Sequence, residues 1–133
     1  MAAPVMEAVE ALESHLHPTP SFAIDDHPYP KGQEEIWRFS PLRAMRALLT
    51  DEPSDACLTW AESYPEGVTT RVISTAEAQL MVAEAPIDRV SALAAARSGG
   101  AQVIEVQANA ELTEPVSITL SGTGQHVWGH LVF

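Results

Sequence analysis

The segment Pro30–Leu42 reads P-K-G-Q-E-E-I-W-R-F-S-P-L and is the clearest guide to the fold. Its first three residues predict a turn, because proline fixes its own φ and glycine tolerates positive φ. Ser40-Pro41 predicts a helix start, since serine caps helices and proline is tolerated at the first helical position. Between them stand the candidate interaction or structural residues Glu34, Glu35, Trp37, Arg38 and Phe39. No common catalytic signature has this arrangement, which is typical of a structural or binding element.

Two interpretations of these side chains are open on physical grounds. In the first, Trp37 and Phe39 pack into a core, and Arg38 pairs with Glu34 at helical spacing. In the second, the aromatic side chains and Arg38 contact a partner, since Trp and Arg are frequent interface hot spots. The sequence favours the core interpretation.

The charge of the chain excludes several classes of partner. Its 133 residues carry 18 acidic and 7 basic side chains, which gives a net charge of −11. Nucleic-acid binding is not expected because phosphate neutralisation needs clustered Lys and Arg, and an anionic membrane surface would repel the chain. Four of the seven basic residues lie close together in the sequence: Lys31, Arg38, Arg43 and Arg46.

The single cysteine, Cys57, excludes an internal disulfide and predicts a reducing, cytoplasmic location. Its apolar sequence neighbours predict a buried and unreactive thiol. No apolar run approaches the ~20 residues that a membrane helix needs, so no membrane partner is expected.

The first fifty residues are predicted to hold two helices and a linker. Apolar residues at helical spacing predict an amphipathic helix over residues 4–16. The proline-rich stretch 17–33 predicts an extended, turn-rich linker. A second helix is predicted from Ser40-Pro41 to about Thr50. The apolar positions of the first helix are Val5, Val9, Leu12 and Leu16.

Two further helices are predicted before residue 100. Ser74 followed by Glu77 forms a capping box that opens the first of them. Asp88 is expected to cap the second, and Gly99-Gly100 is a strong stop signal at its end. We therefore predict that residues 1–99 form a mainly helical N-terminal domain.

Short strands are predicted around and after these helices. The predicted strands are Ala56–Trp60, Val68–Ile73, Val103–Val106, Val116–Leu120 and Val127–Phe133. Such strands at regular spacing suit a sandwich, a barrel or a β-solenoid. The last strand is apolar up to Phe133, so we expect the chain to be the N-terminal portion of a longer protein, with a complete protein ending in a strand as the alternative.

Three motifs that resemble functional sites have simpler structural interpretations. His126 and His130 fall in a predicted strand, where four residues span ~13 Å, too far for one zinc ion. Asp25-Asp26-His27 lies in the linker, which predicts exposed polar residues rather than an acid/base or metal site. Gly122–Gly124 predicts a turn, because it lacks the G-K-[ST] ending of a phosphate loop. No catalytic, metal or cofactor-binding residue is assigned.

The segment Glu34–Leu42 resembles the E-E-x-W-R-[FY]-[ST]-x-L segment of the SufB/SufD family, the scaffolds of the SUF iron–sulfur cluster assembly system. Ala85–Gly100, continued by Ile104–Ile118, is similar to the passage by which SufD enters its β-helix. Gly129–Phe133 is similar to a strand of the same family. The resemblance covers roughly residues 20–133 and favours SufD, because the cysteine-rich features of SufB are absent here. Ile36 departs from the pattern, since the family often has a polar residue there.

The resemblance implies an α+β fold in which a helical or mixed N-terminal domain, residues 1–99, leads into a right-handed parallel β-helix. Residues 100–133 would be the first strands of that β-helix. It also implies a scaffold subunit that is not an enzyme alone and that pairs with SufB and the SufC ATPase. The iron–sulfur cluster is implied only for the full complex, so no cofactor is expected in this chain.

Two functions from other classes remain as alternatives. A β-solenoid carbohydrate-active enzyme needs carboxylates grouped on one face. The β-rich part offers only Glu105, Glu111 and Glu114, and the last two flank a turn. A stand-alone acidic binding module is the other alternative.

Overall fold

A computed structural model of the protein describes residues 18–54 and 56–133. Within them the chain forms a mixed α+β fold, which confirms the predicted class. The helices are α1 (Arg46–Leu49), α2 (Thr75–Met81) and α3 (Arg89–Arg97), and the strands are β1 (Leu58–Ser63), β2 (Val68–Ile73), β3 (Ala101–Val106), β4 (Ser117–Gly122) and β5 (Leu131–Val132). The helix predicted at residues 4–16 lies outside the described residues.

The strands form two small sheets. In the first, β1 pairs with β4 in antiparallel register, with Leu58 opposite Gly122. In the second, the order is β2-β3-β5. β2 and β3 are antiparallel, whereas β3 and β5 are parallel, with Gln102 opposite Leu131. The segment from β1 to β2 therefore runs antiparallel to the segment from β3 to β4, with β1 beside β4 and β2 beside β3.

The parallel pairing of β3 with β5 defines the path of the second half of the chain. After β3 the chain passes through β4, which belongs to the other sheet, and returns beside the strand that it left. Among the described strands this path forms neither a closed barrel nor a solenoid. The expected β-helix is therefore not confirmed by the described fold. The predicted division at residue 99 stays a prediction, and β2 and β3 pair across it.

Capping side chains begin two of the helices, as the sequence predicts. The Ser74 hydroxyl accepts the Glu77 amide at 3.2 Å, and the Glu77 carboxylate accepts the Ser74 amide at 3.0 Å. This reciprocal capping box satisfies two backbone donors at the start of α2. At the start of α3, the Asp88 carboxylate accepts the Ser91 amide at 2.9 Å.

The helix predicted from Ser40-Pro41 is much shorter than expected. The chain makes successive turns after Pro41, with one α-helical hydrogen bond from the Met45 amide to the Pro41 carbonyl at 3.1 Å, and the α-helix itself covers only Arg46–Leu49. The Ser40 carbonyl accepts the Leu42 amide at 2.9 Å, a tight turn that interrupts helix initiation at the predicted position. Leu49, at the end of α1, is completely buried, and the burial of its side chain holds the short helix in place.

The core lies between β3 and the helices that precede it. Ile73, Ala78, Ala101 and Val103 form one buried cluster, and Val132 packs against it. The strand predicted over Val127–Phe133 is limited to Leu131–Val132, because only these two residues lie opposite β3. None of the helices in residues 18–54 and 56–133 is long and apolar enough to cross a membrane.

The junction between α3 and β3 depends on two consecutive glycines. Gly99 and Gly100 have φ values of 73° and 130°, which L side chains rarely adopt. A Cβ at Gly100 would lie 2.3 Å from the Ile73 carbonyl oxygen, whereas a Cβ at Gly99 would meet nothing within 4 Å. Gly100 therefore permits the close approach of β2 and β3 where both strands meet the helices.

We expect Gly100→Ala to lower the free energy of unfolding by about 3 kcal/mol, from backbone strain together with the clash on Ile73. The control Gly99→Ala also places an L residue at positive φ, but at a φ of 73° and without the clash, and about 1 kcal/mol is expected. Urea unfolding followed by circular dichroism measures both values. Equal losses in the two variants would contradict this account of the junction.

Val132→Ala is expected to cost about 1 kcal/mol, because it removes apolar contact between β5 and the core cluster. The control Leu80→Ala removes a side chain that is 88% exposed, and a change within about 0.5 kcal/mol is expected. A Val132 variant as stable as the control would show that β5 is not packed on the core.

Candidate functional site: the segment Pro30–Leu42

The first turn of this segment is closed by the carboxylate of Glu34. It accepts the backbone amides of Lys31 at 2.9 Å and Gly32 at 2.8 Å. Gly32 has a φ of 84°, so the turn uses the positive φ that the sequence predicts. The hydrogen bond from Lys31, supported by those of neighbouring amides, holds the pKa of Glu34 below its usual value.

Arg38 does not pair with Glu34, the partner expected at helical spacing. Glu35–Trp37 forms a single 3₁₀ turn, and the Arg38 guanidinium lies 3.7 Å from the Glu35 carboxylate. Their side chains are 62% and 50% exposed, so this ion pair adds little stability. The guanidinium also lies 5.5 Å from the centre of the Phe39 ring, in cation–π geometry.

The two aromatic side chains have different environments. Trp37 is half-buried and lines a small cavity of about 130 Å³, together with Pro18 and Ile36. Phe39 is 90% exposed, so the expectation that it packs into the core is wrong. The reason is local: the 3₁₀ segment ends at Trp37, and Phe39 follows in a turn that places its side chain in solvent.

Arg89, the first residue of α3, binds the chain on either side of the Pro30–Leu42 segment. Arg89 donates to the carbonyl oxygen of Leu49 at 2.6 Å and to that of His27 at 2.9 Å. The ring of His27 is buried and its Nε2 lies 2.9 Å from the Ser21 carbonyl oxygen. The expectation that Asp25-Asp26-His27 is entirely exposed is therefore wrong for the histidine, because the Arg89 contact draws its backbone into the packed part of the fold.

The basic residues divide into two groups. Lys31, Arg38, Arg43 and Arg46 are all exposed. By contrast, Arg97 makes a bidentate ion pair with Asp51, at 2.7 and 2.5 Å. This hydrogen bonding and the charge of Arg97 hold the pKa of Asp51 below its usual value. Four of the six exposed basic residues therefore lie within residues 31–46, and the other two are Arg71 and Arg97.

The other candidate residues do not assemble a catalytic or metal site. Cys57 is exposed, so the prediction that it is buried is wrong. It immediately precedes β1 rather than lying within the strand, which removes it from the packed sheet. His126 and His130 lie in irregular chain rather than in the predicted strand. Within residues 18–54 and 56–133, no group of three or more His, Cys, Asp or Glu side chains is placed to hold a metal ion.

Sequence reasoning missed an open groove of about 710 Å³ beside β1 and the chain that leads into β5. Trp60, Trp128 and His130 are among its lining residues. The sequence signal for it is Gly129, where a Cβ would lie 2.6 Å from the Leu58 side chain and 3.4 Å from the Trp60 ring. Glycine at this position permits the chain to cross closely over β1.

The described residues thus define a small α+β unit whose distinctive surface is a basic and aromatic segment rather than a catalytic cluster. The chain is 34% identical over 114 residues to iron–sulfur cluster assembly SufBD family proteins of Mycobacterium tuberculosis and Mycobacterium bovis, and 32% identical over 114 residues to one of Mycobacterium leprae. Each match covers 84% of this chain. No family model and no solved structure matches the chain.

These similarities identify the chain as a member of the SufB/SufD family, as the sequence motifs predict. The chain covers 29% of the length of each of these relatives. The matched residues therefore correspond to a minor part of the relatives.

The Glu34 turn predicts a specific dependence of stability on pH. Because the folded-state pKa is lowered, the carboxylate stabilises the fold above its ordinary pKa of about 4.3 and loses this effect as pH falls through the lower folded value. Glu34→Gln should therefore lower the urea midpoint at pH 7, and the difference from wild type should shrink by pH 3. The control Glu35→Gln should change the midpoint little at either pH. A Glu34→Gln difference that is equal at both pH values would contradict the assigned role.

Proposed function

We propose that the chain is part of a SufD-like scaffold subunit that serves iron–sulfur cluster assembly without being catalytic alone. The observation on which this depends most is the similarity to SufBD family proteins across 84% of the chain. In this proposal the cluster is cargo of the complex, and no residue of this chain is assigned to hold it.

The path of β3, β4 and β5 supports the β-helix that a SufD-like protein requires. A chain that leaves one strand and returns beside it in parallel register follows a path that is compatible with one coil of a solenoid. Parallel crossovers are almost always right-handed because of strand twist. We propose that β3 and β5 belong to successive coils of a right-handed parallel β-helix. In that arrangement β1 and β2 pair with the edges of β4 and β3, and β2 lies on the edge of β3 opposite β5.

The proposed partners are a SufB-like subunit and a SufC-like ATPase in the cytoplasm. The proposal needs an extended scaffold that presents surfaces to other proteins, and the exposed side chains around Phe39 provide one such surface. The net charge of −11 disfavours nucleic acid as the partner.

Co-expression tests this proposal directly. The whole protein, affinity-tagged, should co-purify with SufB-like and SufC-like proteins from the same genome and elute with them as one complex in size-exclusion chromatography. Cells depleted of the protein should lose activity of iron–sulfur enzymes while the abundance of those polypeptides stays unchanged. Unchanged iron–sulfur enzyme activity, or separate elution of the three proteins, would contradict the proposal.

A further inference from the structure

The open groove beside β1 is lined by residues of both sheets. Trp60 belongs to β1, whereas Val72 and Gln102 lie opposite each other on β2 and β3. Trp128 and Gly129 belong to the chain that leads into β5. The volume of about 710 Å³ lies within the range of about 300–1,000 Å³ that is typical of ligand sites. We call this site the tryptophan groove.

The two tryptophans give the groove an aromatic lining. Trp60 and Trp128 are both half-buried, so part of each residue stays accessible. Gly129, the residue after Trp128, lies against β1, since a Cβ there would be 3.4 Å from the Trp60 ring. Val72 adds an apolar side chain that is 76% exposed. Indoles are the aromatic groups that best attract a cation, and they also stack on planar guanidinium groups.

The charged residues of the lining favour a positively charged ligand. They are two carboxylates, Asp51 and Glu52, and one guanidinium, Arg97. Arg97 makes its bidentate ion pair with Asp51, so these two charges compensate each other. Glu52 is exposed and makes no ion pair within residues 18–54 and 56–133. In a chain with a net charge of −11, this lining attracts cations and repels anions.

The shape and chemistry of the groove favour a polypeptide over a small molecule. Small ligands are usually enclosed over about 70–90% of their surface, whereas a ligand in this open groove keeps one side in solvent. Arginine combines the two interactions that the lining offers, because its guanidinium stacks on an indole and pairs with a carboxylate. Tryptophan and arginine are also among the residues that most often dominate binding at protein interfaces.

We propose that the tryptophan groove binds an arginine-rich segment of a partner protein. One guanidinium lies against the indoles of Trp60 and Trp128, and Glu52 attracts a neighbouring cation of the same segment. The negative charge of the chain speeds the encounter, and the contact with the indoles makes binding specific for this groove. This role goes beyond the proposed pairing with SufB-like and SufC-like subunits, because it depends only on the lining of the groove.

Fluorescence anisotropy of a labelled peptide, titrated with the whole protein, tests the proposal. The peptide alternates arginine with glycine and serine, and the matched control peptide has citrulline, a neutral isostere, at each arginine position. We expect the arginine peptide to bind at least about tenfold more tightly, because citrulline keeps the shape of arginine but loses its charge. Equal affinity for the two peptides, or no binding of the arginine peptide, would overturn the proposal.

Arginine amide, added as a competitor, distinguishes a polypeptide from a small cation. It should displace the labelled peptide only at a concentration at least about a hundredfold higher than the unlabelled arginine peptide needs, because the peptide makes several linked contacts. Displacement by both competitors at the same concentration would identify a small organic cation as the ligand and overturn the assignment to a polypeptide.

Charge changes at Val72 separate binding in the groove from general attraction to an acidic chain. Val72→Arg should weaken binding of the arginine peptide about fivefold, and Val72→Glu should strengthen it by a similar factor. Leu80→Arg and Leu80→Glu are the matched controls, because Leu80 is 88% exposed and does not line the groove. They should change the affinity less than about twofold. Equal effects at the two positions would overturn the proposal.

Trp128→Ala tests the aromatic contact. It should weaken binding of the arginine peptide about tenfold, whereas Trp128→Phe should weaken it less, because a phenyl ring retains part of the attraction for a cation. Hydrogen–deuterium exchange of β2 and β3 reports whether each variant is folded, and their protection should stay at the wild-type level. Wild-type affinity in a folded Trp128→Ala variant would overturn the proposal.

Discussion

β3 is the strand on which the other described elements depend. It pairs in antiparallel register with β2 on one edge and in parallel register with β5 on the other. Three of its residues, Ala101, Val103 and Ile104, are buried and contribute to the core. Gly100 allows the chain to turn from α3 into this strand without a clash on β2. Because β3 pairs with both β2 and β5, a shift of β3 by one residue would change the register of both neighbouring strands.

The N-terminal part of the described chain is attached to this sheet through side chains of α3. Arg89 bonds to two backbone carbonyls, and Arg97 pairs with Asp51. These contacts are made to His27, Leu49 and Asp51, which lie on either side of the Pro30–Leu42 segment, while Phe39 within the segment is exposed. The arginines of α3 therefore make tertiary contacts, whereas the cations of residues 31–46 are exposed. This arrangement is compatible with the scaffold role proposed above.

Local capping signals made much of the fold predictable. The capping box at Ser74 and the cap at Asp88 lie where the sequence predicts them, because a cap depends on residues a few positions apart. The bounds Val68–Ile73 of β2 are also confirmed. Strand pairing was not predictable in this way, since β5 depends on a contact with β3 from distant sequence. The opposite environments of Trp37 and Phe39 were missed because residue type alone does not specify which side of a turn a ring occupies.

The most direct test of this account is the hydrogen bond between the Gln102 amide and the His130 carbonyl, which are 2.9 Å apart and join β3 to the chain entering β5. NMR measures such a bond as a scalar coupling across it. We expect a coupling between these two groups, with cross-strand contacts in the parallel register of Gln102 with Leu131. Absence of the coupling, or contacts showing β5 antiparallel to β3 or beside β4, would contradict the path on which the proposed β-helix depends.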